Sequence, residues 1–164
     1  MTKKIVVISG TRKGIGRKLA EHFLDKGCIV YGCSREKSDL ENDNYHHKQL
    51  DIQNEPEIRV WVREIKKEAG TIDILICNAG YAPANMLATI TSGVSLSKVL
   101  KTNVEGTFIL CREVAKIMMK ANSGRIITFS SMAAGLHLEG TSAYALSKAA
   151  ITEYTKKLAK ELVK

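Results

Sequence analysis

The residues with the clearest chemical potential are the tyrosine and the lysine of the segment Tyr144-Ala145-Leu146-Ser147-Lys148. Side chains four residues apart share one face of a helix, so the phenol and the ammonium are predicted to be neighbours. A free phenol has a pKa of about 10 and is a poor acid or base at neutral pH, but a nearby cation favours the phenolate. The pair is therefore predicted to give a proton to a developing alkoxide, or to take one from an alcohol.

A serine precedes this pair, directly after a predicted buried strand over residues 124–130. The hydroxyl of Ser131 at such a strand end can reach the start of the next helix across the edge of the sheet. It is predicted to polarise a carbonyl oxygen while Tyr144 supplies the proton. A role as a helix cap or turn residue is the alternative for Ser131, and Ser130 beside it could equally fill that role.

A glycine-rich segment follows the first predicted strand and opens the first predicted helix. Glycines at this junction allow a tight turn, and the helix N-terminus presents free N–H groups to a phosphate. The spacing is Gly-x-x-x-Gly-x-Gly and departs from the commoner Gly-x-Gly-x-x-Gly. The segment predicts a dinucleotide site formed by Gly10, Thr11, Arg12, Lys13, Gly14, Ile15 and Gly16.

The end of the second predicted strand indicates which dinucleotide is bound. An acidic residue there would bind the ribose hydroxyls of NAD and repel a 2′-phosphate. The strand instead leads into Ser34 and Arg35, and Arg35 offers a planar, permanently charged group that suits phosphate. With Lys13 nearby in the glycine-rich segment, the sequence predicts NADP(H). The alternative for Arg35 is a solvated loop charge.

The remaining pattern supplies the elements that must position these residues. Apolar β-branched runs predict strands over residues 3–9, 28–33, 46–52, 72–77 and 124–130. Helical spacing of apolar residues predicts helices over 14–26, 54–69, 97–120 and 142–164, and Asn54 is the expected cap of the second. Residues 34–45 are a predicted loop, and 81–96 remain unassigned. Near-continuous apolar strands alternating with helices predict a parallel sheet covered on both faces.

Composition narrows the class of protein. The chain has 164 residues, of which 45% are apolar and two are prolines, so a single folded domain is expected rather than a disordered chain. No apolar run reaches the ~18 residues of a membrane helix, and a cytoplasmic protein without membrane contact is expected. The net charge is +8, but the basic residues are spread along the chain, which disfavours nucleic acid as a partner. The cysteines lack metal-site spacing, so no metal is expected, and buried free thiols are predicted at Cys28, Cys33, Cys77 and Cys111.

Taken together, these motifs resemble the short-chain dehydrogenase/reductase family over essentially the whole chain. The glycine-rich segment, Ser131 and the Tyr144/Lys148 pair contribute to the resemblance. Three further motifs carry it in the right order: Asp51-Ile52, Cys77-Asn78-Ala79-Gly80 and Asn103-Val104-Glu105-Gly106. Cys77 stands where the family usually has asparagine. The resemblance implies an α/β fold with a doubly wound, Rossmann-like parallel sheet in three α/β/α layers.

The resemblance also implies a role for each matching residue. Tyr144 would be the catalytic acid or base, and Lys148 would activate it and hold the nicotinamide ribose. Ser131 would position the substrate oxygen, and Asn103 would hold a water that links Lys148 to solvent. Around the cofactor, Asp51 and Ile52 would flank the adenine, while the remaining wall would be formed by Asn78, Ala79 and Gly80.

The implied function is hydride transfer between NADP(H) and a carbonyl compound or secondary alcohol. The Ser34-Arg35 ending and Lys13 resemble NADP-dependent members such as the 3-oxoacyl-(acyl carrier protein) reductases, and the basic surface would suit an acidic carrier protein. Family members often associate through two long helices, here residues 97–120 and 142–164, so a homo-oligomer is expected.

The family pattern continues past the last predicted helix with two further strands. Residues 1–164 are therefore expected to form a single dinucleotide-binding and catalytic domain that lacks the family's last two strands. One interpretation is a fragment of a longer enzyme. The other is a naturally short protein that binds NADP without catalysis, or that acts as a partner subunit.

Overall fold

The computed structural model describes residues 3–163 and contains one parallel five-stranded sheet. The strands follow the order β3-β2-β1-β4-β5, so the chain runs outward from β1 on one side and then on the other. Every neighbouring pair of strands is parallel, which confirms the predicted doubly wound sheet. The strands are β1 (Ile5–Ser9), β2 (Ile29–Ser34), β3 (Tyr45–Gln49), β4 (Ile74–Cys77) and β5 (Arg125–Thr128).

Helices cover both faces of this sheet. Apolar side chains of α2 and α4, such as Trp61 and Leu110, pack with the sheet in one core cluster. Ala20 and Leu24 of α1 pack with the sheet in the other. The result is the predicted three-layer arrangement. The helices of the described residues are α1 (Gly14–Asp25), α2 (Glu55–Ala69), α3 (Gly93–Leu100), α4 (Thr107–Ala121), α5 (Ala133–Leu136) and α6 (Ser142–Leu162).

The predicted cap of α2 is present. The side chain of Asn54 accepts a hydrogen bond from the backbone N–H of Glu57 at 3.3 Å, which satisfies one of the free donors at the helix start. Gly70 ends the helix with a φ of 76°, a left-handed conformation that glycine adopts without steric cost. Local sequence signals therefore determine both ends of this helix.

The helix predicted over 97–120 differs from the observed structure. It begins earlier, as α3 at Gly93, because the hydroxyl of Ser92 caps it by accepting from the N–H of Ser95. Between α3 and α4, residues Lys101–Gly106 form a π-helical turn. Gly106 is pressed against the next layer here, since a Cβ atom on it would lie 2.8 Å from the Ile52 carbonyl oxygen. The π turn and this contact depend on tertiary packing, which helical periodicity does not reveal.

Other boundaries shift by a few residues. β3 spans Tyr45–Gln49 rather than 46–52, because the backbone N–H of Asn54 donates to Asp51 in a turn that precedes α2. β4 begins at Ile74 rather than at residue 72. The last helix was predicted to reach Lys164, which lies outside the described residues; α6 ends at Leu162.

The cysteines agree with expectation. All four cysteines are buried and free, as predicted. Among residues 3–163, no helix has the length and apolar character that crossing a membrane requires.

Candidate active site

The glycine-rich segment forms a tight backbone cradle at the carboxyl end of β1. Gly10 adopts a φ of 78°, and the Asn78 side chain donates to the carbonyl oxygens of Ser9 and Gly10 at 3.0 and 3.2 Å. Gly16, in the first turn of α1, packs so closely on this turn that a Cβ atom would overlap the Gly10 carbonyl oxygen. Only glycine allows the helix to start this close to the strand end. We call Ser9–Gly16 together with Asn78–Gly80 the cofactor cradle.

Two buried hydroxyls support the cradle from behind. The Ser9 hydroxyl accepts the backbone N–H of Ala79 at 3.0 Å. Thr11 is fully buried, and its hydroxyl accepts a hydrogen bond from the Tyr45 phenol at 2.7 Å. Thr11 was predicted to contact the cofactor through the glycine-rich segment, but the structure directs its side chain into the protein. Its observed contact is with β3.

A cavity of about 310 Å³ opens beside the cradle, at the carboxyl ends of the central strands. Four cationic and two anionic side chains lie in its wall, so an anionic ligand is favoured there. Most predicted cofactor residues line it, whereas Thr11 and Gly16 are buried beneath it and Gly14 and Ile15 are exposed at the start of α1. The wall comprises Gly10, Arg12, Lys13, Cys33, Ser34, Arg35, Glu36, Leu50, Asp51, Ile52, Gln53, Asn78, Ala79, Gly80, Tyr81, Lys98 and Thr102.

The shape and donors of this cavity fit a dinucleotide. Gly10 lies in the cavity wall without a side chain, so a phosphate can approach its backbone. The free N–H groups and partial positive charge of the α1 N-terminus face the same end of the sheet. Arg12, Lys13 and Arg35 add positive charge on the side of β2.

One ion pair in this cavity was not predicted. Arg12 Nη1 lies 3.1 Å from Glu36 Oε2, joining the glycine-rich segment to the loop after β2. The Ser34 hydroxyl donates to the Glu36 carbonyl oxygen at 2.8 Å, and Gln49 donates to the Arg35 carbonyl oxygen at 3.0 Å. The only available sequence signal was the acid that follows Arg35. The pairing itself depends on how β1 and β2 align.

The predicted proton-transfer pair lies on α6. Lys148 Nζ sits over the ring of Tyr144, 5.7 Å from its centroid, so the i and i+4 spacing does make the two groups neighbours. Nζ also donates to the Phe129 carbonyl oxygen at 2.8 Å, just beyond the end of β5. Lys148 is only 8% exposed, and burial lowers the pKa of its ammonium.

Asn103 connects the π turn to this pair. Its side-chain oxygen accepts the backbone N–H of Tyr81 at 2.7 Å, while Nδ2 donates to the Tyr81 carbonyl and to the Ser147 hydroxyl. Ser147 in turn donates to the Tyr144 carbonyl oxygen at 2.7 Å. A Cβ atom at Gly80 would lie 3.9 Å from Lys148 Nζ, so the cradle and α6 approach each other here.

The two serines after β5 make different contacts. Ser130 bonds to α6, with its hydroxyl 2.6 Å from that of Thr152 and donating to the Lys148 carbonyl. The Ser131 hydroxyl accepts the N–H of Ala133 at 3.2 Å, the pattern of a turn. The structure thus brings together Asn103, Tyr144 and Lys148, while Ser131 is engaged with the start of α5.

A second cavity of about 310 Å³ lies beside Tyr144. The side chains that line it include amide, hydroxyl and apolar groups and no Asp, Glu, Lys or Arg. Seven of its lining residues lie within 81–96, the segment that the sequence pattern left unassigned. The lining residues are Ala82, Pro83, Ala84, Asn85, Met86, Thr91, Ser95, Ala133, Leu138, Gly140, Thr141, Ala143 and Tyr144.

A doubly wound sheet, a glycine cradle at its switch point and a tyrosine–lysine pair define the class of dinucleotide-binding oxidoreductases. Residues 4–164 match the family described as short chain dehydrogenase, and the chain belongs to this family. The resemblance seen in the sequence is therefore confirmed.

Similar proteins include 3-oxoacyl-[acyl-carrier-protein] reductases. That of Vibrio cholerae is 31% identical over 165 residues, which cover 97% of this chain and 67% of the relative. That of Buchnera aphidicola is 32% identical over 168 residues, covering 99% of this chain and 68% of the relative. The chain thus spans about two thirds of the length of these relatives.

Solved structures share the fold. ElxO with NADP bound superimposes with a TM-score of 0.93 at 30% identity, over 98% of this chain and 68% of that one. A short-chain dehydrogenase from Leptospira borgpetersenii with bound NAD⁺ gives a TM-score of 0.91 at 25% identity, over 98% of this chain and 66% of that one. Structures with either dinucleotide therefore share this architecture.

Proposed function

We propose that this chain transfers a hydride between NADP(H) and a carbonyl compound or secondary alcohol. The single observation that carries the proposal is the position of Lys148 over Tyr144, between the cofactor cradle and an uncharged cavity. Tyr144 lines the uncharged cavity, and Lys148 Nζ lies 3.9 Å from a Cβ position on Gly80 of the cradle. Membership of the short-chain dehydrogenase family supports the same assignment.

The cofactor supplies the hydride donor or acceptor when it is bound. The cradle glycines and the α1 N-terminus would hold its phosphates, and Asp51 and Ile52 lie in the wall where its adenine would rest. Asn78, Ala79 and Gly80 form the wall toward Lys148. These residues would orient the cofactor and exclude water from one side of it.

Proton transfer is the task of Tyr144. Its phenol donates a proton to the oxygen of the reduced carbonyl, or accepts one in the reverse direction. Lys148 stabilises the phenolate that remains, and its own position is held by the Phe129 carbonyl. Asn103 holds Ser147 and Tyr81 in place around the pair. The Ser131 hydroxyl, which accepts the N–H of Ala133 at the start of α5, would contact the substrate oxygen.

NADP(H) is favoured over NAD(H) by the charges of the cavity. Arg12, Lys13 and Arg35 lie on the wall next to β2, where a 2′-phosphate would add negative charge. ElxO, a structural neighbour, was solved with NADP bound. The NAD⁺-bound neighbour shows that the fold alone does not make this choice.

The composition of the second cavity favours a substrate that is uncharged in the region next to its reacting carbonyl. Its lining holds no Asp, Glu, Lys or Arg side chain that could pair with a charged substrate. A 3-oxoacyl thioester meets this condition, and similar proteins are 3-oxoacyl-[acyl-carrier-protein] reductases. The net charge of +8 suits an acidic carrier protein as the bearer of the substrate.

We further propose that the protein forms a homo-oligomer through the helical faces of α4 and α6.

Steady-state oxidation of NADPH with a panel of simple ketones and 3-oxoacyl thioesters tests the function. We expect turnover by the chain and a loss of about 100-fold or more in Tyr144→Phe, the range for an acid–base group. Tyr31→Phe is the matched control, because it removes a phenol on β2 that lies outside both cavities.

Two results would contradict the proposal. Unchanged turnover in Tyr144→Phe would remove the acid–base assignment. Tight NADPH binding without turnover by either form would instead support the alternative, a protein that binds NADP without catalysis.

A further inference from the structure

A buried hydrogen bond joins the cofactor cradle to the edge strand β3. The Tyr45 phenol donates to the Thr11 hydroxyl at 2.7 Å, although the two residues are 34 positions apart in the chain. Thr11 is 0% exposed and Tyr45 is 9% exposed, so little water reaches this contact. The turn after β1 is thus tied to a strand that is not a neighbour of β1 in the sheet.

Gly32, on the strand between them, makes this contact possible. It pairs with Ile8 of β1 and with His47 of β3. A Cβ atom on Gly32 would lie 2.5 Å from the Thr11 hydroxyl oxygen and 2.6 Å from the Tyr45 phenol oxygen. The missing side chain on β2 therefore leaves the space in which the two hydroxyl groups meet.

The part of the cradle that receives this hydrogen bond lies directly before residues that face the ligand. The backbone N–H groups of Gly10 and Thr11 both donate to the Cys33 carbonyl oxygen, at 2.7 and 3.2 Å. Arg12 and Lys13 follow at once, and both line the cofactor cavity. The Thr11 side chain adds a second attachment to a turn that is otherwise suspended from one carbonyl group of β2.

Building on the dinucleotide binding proposed above, we infer that Tyr45 is a positioning residue for the cofactor and acts through Thr11. Tyr45 lines neither cavity, so its effect on the ligand is indirect. Without the phenol, the turn would occupy several arrangements, and the fraction of molecules ready to bind the cofactor would fall. NADPH and NADH both carry the pyrophosphate that the cradle would receive, so the affinity for both should fall together.

Titrations of NADPH and NADH, followed by nicotinamide fluorescence, test this inference. For Tyr45→Phe we expect both dissociation constants to rise about three- to tenfold, as when about 10–30% of molecules hold the turn in place. Turnover at saturating NADPH should stay within about twofold, because Tyr144 and Lys148 take no part in this contact. A KM effect without a kcat effect is the expected signature.

Tyr31→Phe is the matched control. It removes a buried phenol from the opposite face of the sheet, since Tyr31 packs in the core cluster of α2 and α4 and Tyr45 packs in that of α1. Urea unfolding may lower the stability of both variants, but only Tyr45→Phe should change the two dissociation constants. An equal rise in Tyr31→Phe would overturn the inference, because it would reflect stability alone.

Substitutions of Thr11 test the same contact from its other end. Thr11→Val should weaken binding as much as Tyr45→Phe, and the double variant should bind no more weakly than either single variant. Thr11→Ser keeps the hydroxyl and should bind NADPH as the unmodified chain does. Additive losses in the double variant would overturn the inference.

The two levels of the proposal fail differently. If the unmodified chain binds neither dinucleotide, the proposed function fails. If it binds both and Tyr45→Phe binds them equally well, only the positioning role of Tyr45 fails.

Discussion

The cofactor cradle and the tyrosine–lysine region lie at the same edge of one sheet but are built differently. β1, which leads into the cradle, is buried at all five positions. β5, which leads to Ser131 and α6, is the edge strand, and Ile127 in it is 38% exposed. We call β5, α5 and α6 together the catalytic face. One region is set in the core, and the other lies at its margin.

The difference shows how each region keeps its geometry. The cradle is defined by backbone positions and by the absence of side chains at Gly10 and Gly16. The catalytic face is held by hydrogen bonds from side chains, such as Lys148 to the Phe129 carbonyl and Thr128 to Thr155. We therefore expect the cradle to fail when atoms are added and the catalytic face to weaken when polar groups are removed.

The largest effect is expected from Gly16→Ala. The new methyl group would overlap the Gly10 carbonyl oxygen, and a backbone atom cannot move aside cheaply. We predict a loss of about 1–3 kcal/mol of stability and a fall of about tenfold or more in NADPH affinity. Urea unfolding and fluorescence titration measure the two effects. Gly93→Ala is the control, because a Cβ atom there meets nothing within 4 Å. Equal changes in stability and NADPH affinity in the two variants would contradict the packing role assigned to Gly16.

The next effect concerns Asn103, where the π turn meets the Tyr81 backbone. Asn103 is 2% exposed, and Asn103→Ala leaves the N–H and carbonyl groups of Tyr81 without their partner. Leaving such groups unpaired costs about 1–3 kcal/mol. Chemical denaturation should show this loss of stability, and a steady-state assay should show reduced turnover. Glu105→Ala changes an exposed residue of the same turn and should have almost no effect. If Glu105→Ala destabilises the protein as much, the role of Asn103 is wrong.

A smaller effect is expected from the link between β5 and α6. The Thr155 hydroxyl donates to the Ile151 carbonyl, so Thr128 is the donor to Thr155 at 2.8 Å. Thr128→Val should cost about 0.5–1.5 kcal/mol, the net value of one hydrogen bond. In a Thr155→Val background the same change should cost less, because the partner is already absent. Full additivity in this cycle would mean that the link does not stabilise the catalytic face.

The smallest effect is on the pH dependence of stability, where two buried groups, Tyr31 in the cradle's sheet and Lys148 on the catalytic face, should respond in opposite directions. Burial raises the pKa of Tyr31, on β2, to about 12. The unfolded phenol loses its proton near pH 10, so this contribution to stability is lost between about pH 10 and pH 12. Burial lowers the pKa of Lys148, so unfolding takes up a proton below about pH 10.4 and stability there rises with pH.

Urea unfolding midpoints of Tyr31→Phe and Lys148→Met, measured across this pH range, test the predicted directions of the two effects on stability. Tyr31→Phe should flatten the alkaline fall, and Lys148→Met should flatten the rise that precedes it. Changes of the same sign in both variants would show that burial does not act on the two groups as described.

Much of this structure could be predicted from the sequence because its signals are local. The alternation of apolar strands with helices determined the sheet, and Asn54 and Gly70 marked the ends of α2. The Ser92 cap of α3 was also a local signal, with Ser95 three residues later, although the predicted helix started at residue 97. The i and i+4 spacing was sufficient to place Tyr144 beside Lys148.

The features that escaped prediction depend on packing between elements distant in the chain. The π turn at Lys101–Gly106 is accompanied by Asn103 contacts to Tyr81, and periodicity alone continues an α-helix through it. Thr11 points inward because β3 places Tyr45 behind it. The pairing of Arg12 with Glu36 requires β1 and β2 to be adjacent and in register. The roles of Asn103, Ser131, Tyr144 and Lys148 in catalysis stay predictions.

The most direct test of the central claim is isotope transfer from NADPH that carries two deuterium atoms at the nicotinamide C4 position. The protein is incubated with this cofactor and an uncharged ketone or 3-oxoacyl thioester, and the alcohol is analysed by mass spectrometry. We predict one deuterium in the product for the unmodified chain, and almost no product for Tyr144→Phe even though that variant still binds NADPH. Saturable NADPH binding without any deuterated alcohol from the unmodified chain would contradict the account.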